Sequence, residues 1–265
     1  MTDDKQGTDI SGRRGGTGDR EDMSKLAGQS EDRSAHHVNG KESQTSLRES
    51  NRKLSLVFSA ARHDINNQLT ILNGYLSLLE TPNPAMKTRD IIGILQGATA
   101  RIERILTFTR EFQNIGENPP EWQVLGETIR REITTTETGS VRIIADPFCD
   151  EVEVFADPML VKVFSNLIDN SLRHGEKVSE IQIRCSVENN LLTIMYEDDG
   201  IGIPDRIRPI IFERGKGKNA GYGMFLVREI LATTGMSIAE KGVAGNGARF
   251  EILVPPGSFR IIGSK

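Results

Sequence analysis

The chain has only two cysteines in its 265 residues, Cys149 and Cys185, far apart and without metal-ligand spacing around them. This excludes a disulfide framework and a thiolate zinc site, and leaves two reduced thiols of a cytosolic protein as the plain reading. Long apolar runs are also missing. None approaches the about 18 residues that a membrane helix needs, and the N-terminal stretch lacks the apolar core of a signal peptide. Arg13-Arg14 is followed by Gly-Gly and charges, a poor match to a twin-arginine export signal. Positive charge is not in excess either. A formal net charge of -4 without a basic stripe argues against a general nucleic-acid binder, because little is available to neutralise phosphates. The expectation is a soluble, cytoplasmic chain of one or two domains with a sizeable core and no membrane span.

Residues 1–48 have Met1, Ile10, Met23, Leu26, Val38 and Leu47 as their only large apolar side chains. Such a segment buries too little surface to offset its chain entropy, so it reads as disordered. The pair His36-His37 inside it has no third ligand in view. From Leu54 the pattern changes. Leu54, Val57, Phe58, Ala61, Ile65, Leu69, Leu72, Leu76 and Leu79 fall at steps of three and four, which makes an amphipathic helix. Thr81-Pro82-Asn83-Pro84 ends it. A second periodic segment follows, with Ile91, Ile94, Leu95, Ala98, Ile102, Ile105, Phe108 or Thr109, and Phe112 on one side. Two such helices joined by a short turn form an antiparallel hairpin over 49–116. A lone hairpin leaves half of each apolar stripe wet, so a homodimer closing a four-helix bundle is expected.

His63 lies off the stripe, about 180° around the helix from Leu54 and Leu72, and Asn67 shares its face one turn later. By itself a histidine on a polar face is most simply a solvated residue. With a carboxylate beside it, the imidazole also has what a nucleophilic phosphate acceptor needs. One ring nitrogen attacks, and a partner at the other stabilises the charge that develops. Asp64 is the nearest candidate for that partner.

After Asn118-Pro119-Pro120, read as a flexible linker, short strand-like runs appear at 141–144, 152–156, 181–187, 191–197 and 249–254, the third and fourth forming a hairpin. Helical segments lie near 124–138, 158–174 and 222–234. Strands interleaved with helices in mostly antiparallel order predict an α+β sandwich, one sheet covered by helices on one face, over 121–257, with 258–265 as a tail.

Three stretches of this region combine amides, acids and glycines. Asn166, Asn170 and Arg173 share the polar face of one helix. Amide oxygens there suit Mg²⁺, which fills the rest of its shell with water and substrate phosphates, although two solvated asparagines are the blander alternative. Glu197-Asp198-Asp199-Gly200-Ile201-Gly202 places an acid that accepts from an exocyclic amine beside glycines that let backbone approach a flat ring. Gly215-Lys216-Gly217-Lys218-Asn219-Ala220-Gly221-Tyr222-Gly223 precedes a helix, as an anion cradle would; a mobile solvated loop has the same composition. Neither the GxxxxGK[ST] loop nor the dinucleotide-binding fingerprint is present.

In this order the motifs His63-Asp64-Ile65-Asn66-Asn67-Gln68-Leu69, Asn166-x-x-x-Asn170, Asp198-x-Gly200-x-Gly202, Phe212 and Gly221-x-Gly223-Met224 resemble those of the sensor histidine kinases of two-component signalling. The resemblance covers about residues 50–256. It implies a dimerisation and phosphotransfer hairpin followed by an α/β sandwich of the GHKL ATPase type, with ATP and Mg²⁺ bound. By the same resemblance His63 is the phosphorylated histidine and Asp64 the general base. Asn67 matches the position that orients water for dephosphorylating a response regulator. Asn166 and Asn170 match the asparagine box, with Asn170 the metal ligand. Arg173 stands where a cation meets phosphate, and His174 where an aromatic or histidine packs near the nucleotide. Asp198 matches the adenine-binding aspartate, Gly200 and Gly202 the first glycine box, and Gly221 and Gly223 the second. Lys216 and Lys218 are lid residues. Gln68 stands where the family usually has proline, so the kink that proline imposes is not expected. The implied activity is autophosphorylation of His63 and transfer to an aspartate of a separate response regulator, on a signal from an unknown upstream partner. Two alternatives from other classes are a conformational ATPase of the same superfamily, which lacks a hairpin with an exposed His-Asp, and a non-catalytic dimeric scaffold with a degenerate nucleotide site.

Overall fold

The computed structural model describes residues 54–79, 87–215 and 221–263, together with residue 52. The expected disorder of 1–48 and the lid lysines Lys216 and Lys218 lie outside the described residues. The chain divides into two compact units, Met1–Val57 and Phe58–Lys265; of the first, little beyond the opening turn of a helix is described, and everything below belongs to the second.

Helix α1 spans 54–79 and helix α2 spans Thr88–Asn114. In α2 the buried residues are Ile91, Ala98, Ile105, Phe108 and Phe112, all from the predicted stripe. In α1 the stripe is only partly right. Ala61 and Gln68 are buried, while Leu69, Leu76 and Leu79 remain 44%, 49% and 41% exposed. Over 25 residues a 3.6-residue pattern drifts around the cylinder, so one continuous list of leucines covers more than one face. Neither helix is long and apolar enough to cross a membrane, nor is any other described helix.

The linker is anchored. The Gly116 N–H donates to Asp157 Oδ2 at 2.8 Å, Asp157 Oδ1 accepts from Met159 N at 2.8 Å, and Gln123 Nε2 donates to the carbonyls of Ala156 and Asp157. Asp157, 2% exposed, thus has a donor on each carboxylate oxygen, which is what makes burial of the charge tolerable. Strand β1 (Glu121–Val124) starts directly after the expected linker Asn118–Pro120 and pairs with β3 (Val152–Ala156).

Between them lie helix α3 (Leu125–Thr135) and β2 (Arg142–Ala145); after them come α4 (Leu160–His174), β4 (Glu180–Glu188), β5 (Leu191–Asp198), α5 (Gly223–Ala232), β6 (Ser237–Glu240), β7 (Arg249–Val254) and β8 (Phe259–Ile261). There are two sheets among the described residues, not one. The larger runs β2-β4-β5-β7-β6 and is antiparallel except for the β2–β4 pair; the smaller runs β1-β3-β8. Residues expected to be a tail supply β8, which pairs with β3. The β4–β5 turn is tighter than predicted, because Glu188 pairs with Leu191 and only Asn189 and Asn190 remain, at φ 50° and 61°. Two successive positive φ values are the geometry of a type I′ turn, which asparagine tolerates.

Alternation builds the core. On β5 Leu192, Ile194, Tyr196 and Asp198 are buried and their neighbours are not, and Ile181, Ile183, Phe250 and Ile252 of the adjacent strands are fully buried as well. Helix α4 adds Leu160, Val163, Phe164, Leu167 and Ile168. At ~25 cal/mol per Å² of apolar surface, side chains of this size each contribute about 1.5–3 kcal/mol on burial, so the sheet–helix interface holds the scaffold on which the site sits.

Candidate active site

Asp198 ends β5 on the buried side of the alternation and is 7% exposed. Its Oδ1 accepts from the N–H groups of Gly200 and Ala248, each at 3.0 Å, and its Oδ2 accepts from Ser171 Oγ at 2.5 Å. Ser171 lies in turn 2.9 Å from Tyr196 Oη. Burial pushes the Tyr196 phenol well above its ordinary range; the hydrogen bond with Ser171 opposes the shift and the Asp198 charge adds to it. A carboxylate held by three donors in a dry pocket has one lone-pair direction to spare, which suits a single further N–H donor.

Backbone packs tightly around that acid. A Cβ on Gly200 would fall 2.6 Å from Gly175 O, and one on Gly202, at φ +68°, 2.6 Å from Gly247 O. Gly247 is tighter still: at φ +89°, its Cβ would stand 1.8 Å from Asp198 O. Sequence reasoning misses Gly247 and Ser171. Gly247 sits in Ala244-Gly245-Asn246-Gly247-Ala248, a composition that says loop and gives no sign of which glycine meets another backbone. Ser171 follows Asn170 in the asparagine motif, so its place one residue further around α4 is available as a clue.

On α4, Asn166 donates from Nδ2 to Lys162 O at 2.7 Å. Its Oδ1 is turned to α5, where a Cβ on Gly223 would come within 2.5 Å of it. The asparagine motif and the second glycine motif therefore meet. Asn170 is half-buried and has no partner among the described residues, so its amide oxygen is available to a hard cation, and no cluster of three acids, histidines or cysteines suited to a metal occurs among those residues. Arg173 is exposed and donates from Nε to Asp169 Oδ1 at 2.5 Å, an i,i+4 pair. His174 is half-buried at the end of the same helix.

His63 sits on α1 with its side chain 72% exposed. Its Nδ1 is 3.3 Å from Asp64 Oδ1 and 3.3 Å from Asn67 Nδ2. These contacts demand opposite tautomers, since Nδ1 donates to the acid but accepts from the amide. The bond to a carboxylate is charge-assisted and prevails. In that arrangement Nδ1 carries the proton and the lone pair of the neutral ring is on Nε2, on a side chain that is mostly exposed.

Tyr222, between Gly221 and Gly223, donates its phenol proton to Asp64 Oδ2. It is 5% exposed and stacks on Phe108 of α2 at 4.3 Å between centroids and 17° between planes. Phe112 of α2 stacks in the same way on Phe225 of α5 at 5.8 Å. Burial pushes the Tyr222 phenol up, and Asp64 adds to that through the hydrogen bond and through its charge, against a smaller pull from Arg214; the group is a proton donor throughout the neutral range. Nearby, Lys162 of α4 and Glu111 of α2 pair at 2.9 Å. The helical hairpin and the sandwich are thereby joined at the point where the second glycine motif meets the His-Asp pair.

The fold is a two-sheet α+β sandwich carried behind a helical hairpin. Residues 156–258 match the family described as histidine kinase-, DNA gyrase B-, and HSP90-like ATPase. Over 100 residues the chain is 37% identical to the alginate biosynthesis sensor protein KinB of Pseudomonas aeruginosa, a match covering 36% of this chain and 17% of that protein. It is 23% identical over 212 residues to the signal transduction histidine-protein kinase ArlS of Staphylococcus aureus, covering 73% of this chain and 47% of ArlS. The chain thus spans less than half the length of these curated relatives. The same fold occurs in the crystal structure of histidine kinase ThkA in complex with response regulator protein TrrA, with a TM-score of 0.59, 20% identity, and coverage of 80% of this chain and 64% of that one. The chain is a homologue of the sensor histidine kinases.

Proposed function

We propose that the chain is a protein-histidine kinase that moves the γ-phosphoryl group of ATP to Nε2 of His63 and then to an aspartate of a response regulator. The observation that carries this reading is the pairing of His63 Nδ1 with Asp64 in the same compact unit as the Asp198 pocket. In the transfer the P–Nε2 bond forms as the bond from the γ-phosphorus to the bridging oxygen breaks, and ADP leaves with that electron pair. The Nδ1 proton stays against Asp64, which stabilises the imidazolium. The protein's contribution is positioning and charge neutralisation, as in phosphoryl transfer generally.

Asp198 would receive the exocyclic amine of adenine. Bound Mg²⁺ would neutralise charge on the phosphates, and the Asn170 amide oxygen fits its preference for hard oxygen ligands. Arg173 would contact phosphate only after exchanging its Asp169 partner, and His174 would pack beside the nucleotide. Lys216 and Lys218 would close over the phosphates as lid residues. Asn67, on the face of His63, would orient the water in a reverse, regulator-dephosphorylating reaction.

The partner reading includes a homodimer, supported by the exposed Leu69, Leu76 and Leu79 of α1 and by Ile92 and Leu106 of α2, and a response regulator, supported by the ThkA–TrrA complex. Work in the cytoplasm, where ATP is supplied, belongs to the same proposal.

Incubation of the full chain with γ-labelled ATP tests it. The expected product is acid-labile, alkali-stable label that His63→Gln abolishes. A chain that hydrolyses ATP without becoming labelled, or a His63→Gln variant that labels like the wild type, refutes it.

A further inference from the structure

Tyr222 has no part in the chemistry just described, yet it is the side chain that ties the glycine turn to the His-Asp pair. A carboxylate on an exposed helix face rotates about its terminal torsion with little preference, and the Asp64 side chain is 41% exposed. Here the rotation is fixed from outside the helix. Oδ2 is taken by the Tyr222 hydroxyl, and Oδ1 is left toward His63 Nδ1. The phenol is itself held, stacked on Phe108, with Phe108 and Phe112 5.6 Å apart and Phe112 on Phe225. Phenylalanine would satisfy every one of those ring contacts. Only the hydroxyl needs Asp64.

We propose that Tyr222 is a positioning residue: by bonding Asp64 Oδ2 it presents Oδ1 to His63 and so makes the nucleophile's tautomer depend on the seating of the second glycine turn. The idea rests on the histidine kinase reading and deepens it. When the turn is seated, Asp64 is clamped, Nδ1 keeps its proton and Nε2 its lone pair. When the turn moves away, Asp64 rotates freely and the Asn67 amide competes for Nδ1, which draws the ring toward the tautomer that protonates Nε2 and cannot attack. Bond making and breaking at phosphorus are unchanged; Tyr222 neither gains nor loses a proton overall.

The test uses the full chain with Tyr222→Phe, which keeps the ring. Single-turnover labelling from γ-labelled ATP is expected to slow by roughly tenfold, the consequence of losing one hydrogen bond to a charged group, while the KM for ATP changes by less than about twofold. The chain has four histidines, so ¹⁵N imidazole signals are assignable by comparison with His63→Gln. The wild type is expected to show His63 as the Nδ1–H tautomer and Tyr222→Phe to show a mixture. A labelling rate equal to wild type overturns the inference. So does a slower rate with an unchanged tautomer signal, because the hydroxyl then acts on something other than His63, and so does a loss that lies wholly in KM. A wild type that takes no label at His63 removes the kinase reading itself and this inference with it, whereas a labelled wild type with an indifferent Tyr222→Phe removes the inference alone.

Discussion

Gly245 and Gly247 form a matched pair from which one cost can be isolated. Both hold left-handed backbone, at φ +92° and +89°, but a Cβ on Gly245 meets nothing within 4 Å whereas one on Gly247 would lie 1.8 Å from Asp198 O. Each Gly→Ala change therefore carries the strain of a rare backbone conformation, about 1–3 kcal/mol. Only Gly247→Ala adds a collision with main chain. Real Cβ atoms do not come within 3.0 Å of such an atom, so the Asp198 segment has to retreat by about 1.2 Å, far more than packed backbone yields cheaply. Retreat stretches the bonds from Gly200 N and Ala248 N to Asp198 Oδ1, now 3.0 Å each, and a hydrogen bond to a charged group is worth roughly 1.5–3 kcal/mol. Gly247→Ala should accordingly unfold at least ~3 kcal/mol more easily than Gly245→Ala in a urea titration. In calorimetry Gly247→Ala should bind ATP or ADP ~100-fold or more weakly, and Gly245→Ala within a few-fold of wild type. If the two variants are equally stable and bind nucleotide equally well, the contact between the Gly247 loop and the Asp198 segment has no energetic meaning and the assignment of the pocket fails.

Ser171→Ala removes the donor to Asp198 Oδ2 and the neighbour of Tyr196 Oη in a buried site; it should cost ~1–3 kcal/mol of stability and about tenfold in nucleotide affinity, measured by thermal melting with and without ADP. Leu76→Glu places a charge on a half-exposed leucine of α1 and should turn a dimer into a monomer in light scattering while leaving the melting curve of the monomeric domain close to wild type. Asp199 has its surroundings' desolvation against it, but donors from the Ser179 hydroxyl and the N–H groups of Glu180 and Ser179 win and hold its carboxyl below the usual range. A depressed folded value means stability that is present above the ordinary aspartate range near about 3.9 and is lost as pH falls through the folded value. Asp199→Asn should therefore lower the melting temperature at pH 7 and lose its effect at strongly acid pH.

What is legible in the sequence follows from how many residues vote on each element. Strands β3 and β7 have the predicted bounds, and α4 and the β4–β5 hairpin differ by a residue or two, because each carries an alternation or stripe long enough to average out exceptions. Strands β1, β6 and β8 escape sequence reading. They have four, four and three residues and lack the β-branched run Val141-Arg142-Ile143-Ile144 that marks the equally short β2, so pairing partners distant in sequence define them. The site divides in the same way. Asn166, Asp198, Gly200, Gly202 and Gly223 announce themselves by type and spacing; the structure sets Asn166 against Gly223, Asp198 beside Gly200, and Gly202 against the Gly247 loop that also meets Asp198. Ser171, Gly247 and Tyr222 act through partners 27, 49 and 158 residues away, and no local pattern encodes a contact at that range. The exposed Leu69, Leu76 and Leu79 fall on the predicted stripe because hydrophobicity alone does not tell a buried face from an exposed one.

The neighbours Tyr222 and Gly223 impose a constraint that neither motif carries alone. Gly223 has no side chain because Asn166 Oδ1 occupies the place of a Cβ, and Tyr222 is wedged on Phe108 and bonded to Asp64. Their Cα atoms are about 3.8 Å apart across one trans peptide. A shift of the turn large enough to alter the Asn166–Gly223 contact is larger than the few tenths of an ångström over which a hydrogen bond to Asp64 survives. Whatever moves the turn must therefore either carry the ring along its stack or break the bond to Asp64. In a kinase of the proposed kind this makes pocket and nucleophile one mechanical unit, joined through two adjacent residues instead of through the linker at 118–120. Lengthening that linker should leave labelling of His63 nearly unchanged, while Gly223→Ala should abolish it even where the protein stays folded. The opposite pair of results, with labelling lost on lengthening and kept in Gly223→Ala, would show that the tether, not the turn, sets the geometry.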